Sequence, residues 1–149
     1  MFTFVVPAGG AVYLPWWILT SGGRMPEPAV WPAWALIAAG VALYLWCLWQ
    51  FATTGRGTPG PWDPPRRFVA VGPYRYVRNP MYISAALVIG GEALLFASIS
   101  LAAYFVVFAL VVHAFVILYE EPTLHRLFGE EYDAYRRAVN RWVPRRSRS

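Results

Sequence analysis

The fold is decided by residues 81–119, which read MYISAALVIGGEALLFASISLAAYFVVFALVVHAFVILY. One glutamate and one histidine are the only acidic or basic side chains in this run. At 39 residues it is about twice the roughly 20 that one membrane-crossing helix needs. Its one polar interruption lies around Ser98. We therefore predict a tight helical hairpin with spans at 81–98 and 99–119.

Two more apolar stretches precede the hairpin, at 2–20 and 29–54. With them the chain is predicted to be all-α: a polytopic membrane helical bundle of about four transmembrane helices, forming one domain over 1–149. The composition agrees, because 14% of residues are charged whereas soluble domains carry about a quarter. Residues 55–80 form a loop, since 55–73 contains nine glycines and prolines among nineteen residues.

Residues 120–142 are polar and amphipathic. Apolar side chains recur there at steps of three and four, as one helical face requires: Leu124, Phe128, Tyr132, Tyr135, Val139 and Trp142. We predict C-terminal helices that lie along the membrane surface, with a break at Gly129.

The charge distribution predicts the orientation. All thirteen basic residues are arginines, and twelve of them lie in the 55–80 loop or after Glu120. The positive-inside rule therefore places both segments in the cytoplasm. We expect the inner membrane of a bacterium or archaeon, with basic surfaces facing anionic lipid headgroups. The apolar content of 58% argues against nucleic acid as a partner.

Polar and aromatic residues collect at the predicted cytoplasmic ends of the last three spans. Residues 72–82 read GPYRYVRNPMY, Glu120 and Glu121 follow the fourth span, and Tyr132 and Tyr135 come soon after. Adjacent carboxylates and aromatic faces favour a cation, by about 0.5–2 kcal/mol for each aromatic contact. Arginines favour a carboxylate or phosphate. A zwitterion with a further positive centre, or a phospholipid headgroup, would suit such a pocket.

These residues also have a simpler interpretation. Arginines and aromatic residues beside membrane spans commonly mark topology and anchor the chain at the lipid interface. An acidic pair followed by Pro122 is typical of a helix N-terminus. On the residues alone, both interpretations stay open.

Ionisable residues inside membrane spans cost free energy and commonly have a function. We predict that Glu92, near the far membrane surface, is structural, and that Gly90-Gly91 serves close helix packing. His113 lies nearer the cytoplasm and is either a pocket residue or a satisfied core histidine. The single cysteine, Cys47, excludes an internal disulfide and disfavours a zinc site, so no metal is expected. The sequence has no strand–glycine loop–helix unit for a Rossmann site or P-loop.

Several motifs occur in a defined order and spacing over 72–144: Gly72-Pro73-Tyr74, Arg78-Asn79-Pro80-Met81-Tyr82, an apolar hairpin, Glu120-Glu121, Leu124, Phe128-Gly129, Tyr132, Tyr135 and Trp142-Val143-Pro144. This half of the chain resembles the isoprenylcysteine carboxyl methyltransferase and phospholipid N-methyltransferase superfamily. Members are integral membrane enzymes that use S-adenosylmethionine (S-adenosyl-L-methionine) and have no Rossmann domain.

The resemblance implies methyl transfer from S-adenosylmethionine to a lipophilic acceptor at the cytoplasmic membrane face, either an isoprenylcysteine-type carboxylate or a phospholipid amine. It implies cofactor binding by a set of matched residues: Asn79, Pro80, Tyr82, Glu120, Glu121, Tyr132 and Tyr135. We assign catalysis to Arg78, Glu121 and His113, with Glu121 or His113 as the base for an ammonium acceptor.

Two departures bear on the acceptor. Eukaryotic prenylcysteine enzymes carry an arginine shortly before the acidic pair, and residues 114–119 here contain none. Asn79 stands where those enzymes have histidine. Both differences favour the phospholipid-methylating and broader bacterial branches. The alternative is a non-catalytic membrane protein that binds lipid or acts as a scaffold, and the sequence leaves the oligomeric state open.

Overall fold

A computed structural model describes Pro15, Ile18 and residues 30–54 and 71–144 of the chain. All regular elements among these residues are helices, which confirms the all-α prediction for this part of the chain. Apart from Pro15 and Ile18, the predicted first span at 2–20 lies outside the described residues. The same is true of 55–70, most of the predicted loop.

Helix α1 (Val30–Thr54) packs against helix α2 (Pro80–Leu95) through small residues. A Cβ atom added at Gly91 would lie 2.6 Å from Cγ1 of Ile37 and 2.8 Å from the carbonyl oxygen of Ala33. Gly91 therefore confirms the predicted close helix packing. Gly90 differs, because its Cβ would only touch the Phe105 ring, at 3.6 Å.

Helices α2 and α3 (Ile99–Phe115) form a hairpin whose turn is residues 96–98. Ser98 begins α3 as its N-cap, since its Oγ accepts a hydrogen bond from the backbone N–H of Leu101 at 3.3 Å. The hairpin encloses an apolar cluster of buried side chains: Tyr82, Ala85, Ile89, Phe108, Val112 and Val116.

The chain stays helical through the acidic pair. Helix α3 passes through one π-helical turn, Val116–Glu120, directly into α4 (Glu121–Ala138). Pro122 accounts for the disturbance, because proline has no N–H and clashes with the carbonyl four residues earlier. Further along, Gly129 adopts φ 51° and ψ −123° and kinks α4 at the predicted break.

Helix α4 ends at Ala138, earlier than the predicted end at residue 142. Val139 turns to extended backbone, with φ −122° and ψ 129°. Asn140 then forms a parallel bridge with Val77, and its carbonyl accepts a hydrogen bond from the Arg78 backbone N–H at 2.9 Å. Residues 139–142, called the C-terminal strap below, therefore return to the loop that precedes α2.

Two of the described helices are long and apolar enough to cross a membrane: Val30–Gln50, of 21 residues, and Ile99–Ala138, of 40 residues. Pro80–Leu95 is a shorter apolar helix. Only 17% and 22% of the apolar windows in the two long helices are buried, unlike a core helix of a soluble protein. The count of four crossings and the cytoplasmic side stay predictions.

The tryptophans of α1 agree with a membrane setting. Exposed tryptophans lie near both ends of the helix, Trp31 and Trp34 at the start and Trp46 and Trp49 towards the end. Trp31 and Trp49 are about 27 Å apart along the axis at the helical rise per residue, close to the roughly 30 Å hydrocarbon core of a bilayer. Such belts mark membrane interfaces.

Candidate active site

The candidate site lies at the end of the hairpin where the strap returns. Its first component is a 3₁₀ turn, Gly72–Arg75, that packs against α1 and the start of α2 through contacts of Tyr74 with Cys47 and Met81. Gly72 has φ 57°, and a Cβ atom there would collide with the Gln50 side chain. Only glycine suits this left-handed, crowded position. The turn thus brings residues 76–79 to the start of α2.

Glu121 lies at the centre of the site between two arginines. Arg141 donates from Nε to Oε1 at 2.7 Å and from Nη2 to Oε2 at 3.0 Å. Arg78 places Nη1 3.0 Å from the same Oε1. The Glu121 and Arg78 side chains are only 9% and 11% exposed. A two-point pair is the strongest arrangement of these groups, and it fixes the strap to the start of α4.

The arginines keep Glu121 ionised. Burial by itself would raise the pKa of the Glu121 carboxyl. The hydrogen bond from Arg141 and the charges of Arg78, Arg141 and Arg136 outweigh burial and hold that pKa below its usual range. Two guanidinium groups thus contact one carboxylate, which leaves one positive charge in excess.

Arg78 retains donors for a further partner. Its Nε and Nη1 atoms are buried and make no hydrogen bond among the described residues. Nη1 lies within ion-pair distance of Glu121, but without the directed geometry of a hydrogen bond, so we treat that contact as electrostatic. A buried unsatisfied donor costs about 1–3 kcal/mol. Nε therefore has no acceptor among the described residues, and Nη1 has only its contact with Glu121.

Glu120 has different neighbours from Glu121, since adjacent helical residues point about 100° apart. The Tyr82 hydroxyl donates to Oε2 of Glu120 at 3.1 Å. No arginine in the described part of the chain forms an ion pair with Glu120. The two carboxylates therefore do not act as one acidic pocket, as their adjacency suggests. Glu121 is neutralised by arginines, whereas Glu120 accepts a hydrogen bond from the Tyr82 hydroxyl.

Two tyrosines of α4, Tyr132 and Tyr135, lie in the same region. Tyr132 is only 2% exposed, and its ring centroid lies 6.3 Å from that of Tyr135. The Tyr135 hydroxyl donates to the backbone carbonyl of Tyr74 at 2.6 Å, which joins α4 to the 3₁₀ turn. Burial raises the pKa of both the Tyr132 and the Tyr135 phenol. Both keep their protons at neutral pH and offer aromatic faces rather than charge.

A comparison with known families now bears on this geometry. A family model described as phospholipid methyltransferase matches residues 28–131, more than two thirds of the chain. The chain belongs to the phospholipid methyltransferase family. The match confirms the resemblance to the isoprenylcysteine/phospholipid methyltransferase superfamily. No curated protein matches the chain. Membership implies methyltransferase chemistry on a lipid-like substrate and, with the two long apolar helices, a membrane protein.

The phospholipid methyltransferase match covers most of the site. It includes Arg78, Glu120 and Glu121, together with α1 and the whole hairpin. Tyr132, Tyr135 and the C-terminal strap follow directly after it. The structure therefore joins the matched region to a short C-terminal segment, residues 132–144, that lies beyond the match.

Asn79 and Pro80 support the site through the backbone. Pro80 is the first residue of α2, where the missing N–H of proline is harmless. Asn79 is the N-cap residue, but its side chain makes no cap hydrogen bond. Its Nδ2 donates instead to the Arg141 carbonyl at a long 3.4 Å. Direct contact of either residue with a cofactor stays a prediction.

His113 lies apart from the other predicted catalytic residues. It precedes Glu120 by two helical turns, about 10 Å along the axis. Trp142 of the strap donates from Nε1 to Nδ1 of His113 at 3.0 Å. Since Nδ1 accepts, the neutral ring carries its proton on Nε2 and has no free lone pair. A role for His113 as a base stays a prediction and requires release of this bond.

Arg141 is the site residue that sequence analysis missed. It lies in an arginine-rich tail, a pattern typical of lipid anchors, and is twenty residues from Glu121 along the chain. The return of the strap to the loop before α2, through the bridge between Val77 and Asn140, brings Arg141 to the site. The nearest sequence signal is the Trp142-Val143-Pro144 motif that follows it.

Proposed function

We propose that the chain transfers a methyl group from S-adenosylmethionine to a lipophilic acceptor at the cytoplasmic membrane face. The acceptor is a phospholipid amine or an isoprenylcysteine-type carboxylate. The family match supports the reaction class. The observation that carries the proposal is the separation of charge in the site. Among the described residues, the Arg78 Nε makes no hydrogen bond and Glu120 has no cationic partner.

The charges fit the methyl donor. S-adenosylmethionine has a carboxylate, an ammonium and a sulfonium group. Arg78, with its buried Nε and Nη1, would hold the carboxylate. Glu120, held by the Tyr82 hydroxyl, would hold the ammonium. The faces of Tyr132 and Tyr135 suit the sulfonium, at about 0.5–2 kcal/mol each. When bound, the donor supplies a methyl group on positively charged sulfur.

The chain's own residues contribute mainly by positioning. Methyl transfer needs an acceptor atom held in line with the methyl group, about 3 Å away. Glu121 is predicted to act on the acceptor, and Arg78 and Arg141 contact its carboxylate. The apolar exposed faces of α1 and α3 let a lipophilic acceptor approach from the bilayer.

The acceptor decides whether a base is needed. A carboxylate or thiolate is already a nucleophile, whereas an ammonium must first lose a proton. Both predicted bases are engaged in this geometry, Glu121 by two arginines and His113 by Trp142. Methylation of an amine therefore requires release of one of these contacts. A carboxylate or thiolate acceptor requires none.

The test is methyl transfer to lipid by purified protein. The protein in lipid nanodiscs receives S-adenosylmethionine with a labelled methyl group and an extract of membrane lipids, and labelled lipids are identified by mass spectrometry. We expect labelling by wild type, at least about tenfold lower labelling by Glu120→Gln, and unchanged labelling by Glu130→Gln, an exposed carboxylate of α4. No labelling by folded wild type, with lipid extracts from several sources, would favour the non-catalytic alternative.

A further inference from the structure

The C-terminal strap contacts three other parts of the site. Its backbone holds the loop before α2 through the hydrogen bond from Arg78 N–H to the Asn140 carbonyl at 2.9 Å. Its Trp142 reaches His113 on α3, at 3.0 Å. Its Arg141 reaches Glu121 at the start of α4. The strap is therefore placed to determine how Arg78 and Glu121 face each other.

The two arginines share Glu121 unequally. Arg141 makes two hydrogen bonds, one to each carboxylate oxygen, at 2.7 and 3.0 Å. Arg78 makes one close contact, at 3.0 Å, and keeps buried donors without a hydrogen-bond partner among the described residues. Glu121 is thus satisfied mainly by Arg141. Without Arg141, Arg78 would be the closest cation left to Glu121.

We propose that Arg141 is a positioning residue, which occupies the Glu121 carboxylate so that the Arg78 guanidinium stays available to the anionic group of the ligand. The inference rests on the proposed function, since it concerns the same ligand. The charged and titratable groups near Glu121 are Arg78 from the loop, Arg141 from the strap, Arg136 and Tyr132 from α4, and the adjacent Glu120. Of these, Arg78 and Arg141 form ion pairs with Glu121.

A purely structural role for Arg141 makes a different prediction. If Arg141 only docked the strap, loss of Glu121 in addition to Arg141 would bring no recovery, because the strap would stay undocked. If Arg141 acts by keeping Glu121 away from Arg78, removal of Glu121 makes Arg141 dispensable. The double variant then has Arg78 free and the same net charge at the three positions as wild type.

The experiment measures S-adenosylhomocysteine binding by calorimetry in nanodiscs, together with thermal unfolding of the ligand-free protein. We expect Arg141→Gln to weaken binding by about tenfold or more. The affinity of Arg141→Lys should lie between those of wild type and Arg141→Gln, because a single ammonium cannot donate in the two-point geometry. The double variant Glu121→Gln/Arg141→Gln should regain affinity to within about threefold of wild type. Arg126→Gln, which removes an exposed arginine of α4, should leave affinity unchanged.

The outcomes separate the two proposals. Wild-type binding that Arg141→Gln leaves unchanged would overturn the role of Arg141 alone. So would a folded double variant that binds no better than Arg141→Gln. If Arg141→Gln does not fold, the double variant and Arg141→Lys decide, since the proposal requires both to bind. A folded wild type that binds no ligand would instead overturn the proposed function, and this inference with it.

Discussion

Glu121 has two guanidinium partners, whereas its neighbour Glu120 has one phenol and no arginine partner among the described residues. Burial of a carboxylate costs several kcal/mol, and each hydrogen bond to a charged group returns about 1.5–3 kcal/mol. Two bonds from Arg141 and the nearby charge of Arg78 are enough to keep Glu121 ionised. Loss of one partner would leave part of the desolvation cost of this buried carboxylate uncompensated.

Glu121→Gln should therefore lower stability in a pH-dependent way. The folded-state pKa of Glu121 lies below its ordinary value of 4.5. Its contribution is fully present above about pH 4.5 and is lost as pH falls through the lower folded value. We expect the variant to be less stable by about 1–3 kcal/mol at pH 7, and the difference to shrink towards pH 3.

Thermal unfolding in detergent from pH 7 to pH 3 makes this measurement. Glu130→Gln, at an exposed position on α4, should differ from wild type by less than about 0.5 kcal/mol at pH 7. A Glu121→Gln difference that was equally large at pH 7 and pH 3 would mean that Glu121 contributes through packing and not through charge.

At the scale of helices, the sequence predicts elements better than it predicts contacts. The hairpin is predicted from the length of the apolar run and its polar interruption at Ser98, because one membrane-spanning helix needs only about 20 apolar residues. The kink at Gly129 is predictable from the sequence because glycine readily adopts a positive φ. Pro122 indicates a disturbance, but not that the helix continues through a π-helical turn.

The C-terminal strap shows where such prediction stops. Val139 and Trp142 continue the helical spacing of apolar residues, so periodicity extends the helix past its true end at Ala138. Val139 is buried, as a helical face would require, and Trp142 is partly buried against the apolar cluster of the hairpin. Contacts between Arg141 and Glu121, or between Trp142 and His113, depend on this reversal and have no local signal.

The contact between α1 and α2 gives an element-scale prediction with an internal control. Gly91→Ala would force its Cβ against Ile37 and the Ala33 carbonyl, at a cost of about 1–3 kcal/mol. Gly90→Ala meets only ordinary contact with Phe105 and should gain up to about 1 kcal/mol of helix propensity. Thermal unfolding in detergent would compare the two. Equal stability of both variants would contradict this packing.

At the scale of the whole molecule, apolar helices and a compact charged site meet at one end. Exposed apolar side chains such as Trp49 of α1 and Leu110 of α3 face outward where lipid can contact them. The cluster of Arg78, Glu121 and Arg141 joins three chain segments at the hairpin's end: the loop before α2, the start of α4 and the C-terminal strap. This arrangement suits a reaction between a charged, water-soluble donor and a lipophilic acceptor, the chemistry that the family implies.

We propose that the cluster of Arg78, Glu121 and Arg141 contributes to binding of the methyl donor. The most direct test is calorimetric titration of S-adenosylhomocysteine into wild type, Arg78→Gln and Arg75→Gln, all shown to be folded by their thermal unfolding. We predict saturable one-to-one binding by wild type and at least about tenfold weaker binding by Arg78→Gln. Binding by Arg75→Gln, whose arginine is exposed in the same loop, should be unchanged. Absence of binding by folded wild type in both detergent and nanodiscs, or equal binding by Arg78→Gln, would contradict this proposal.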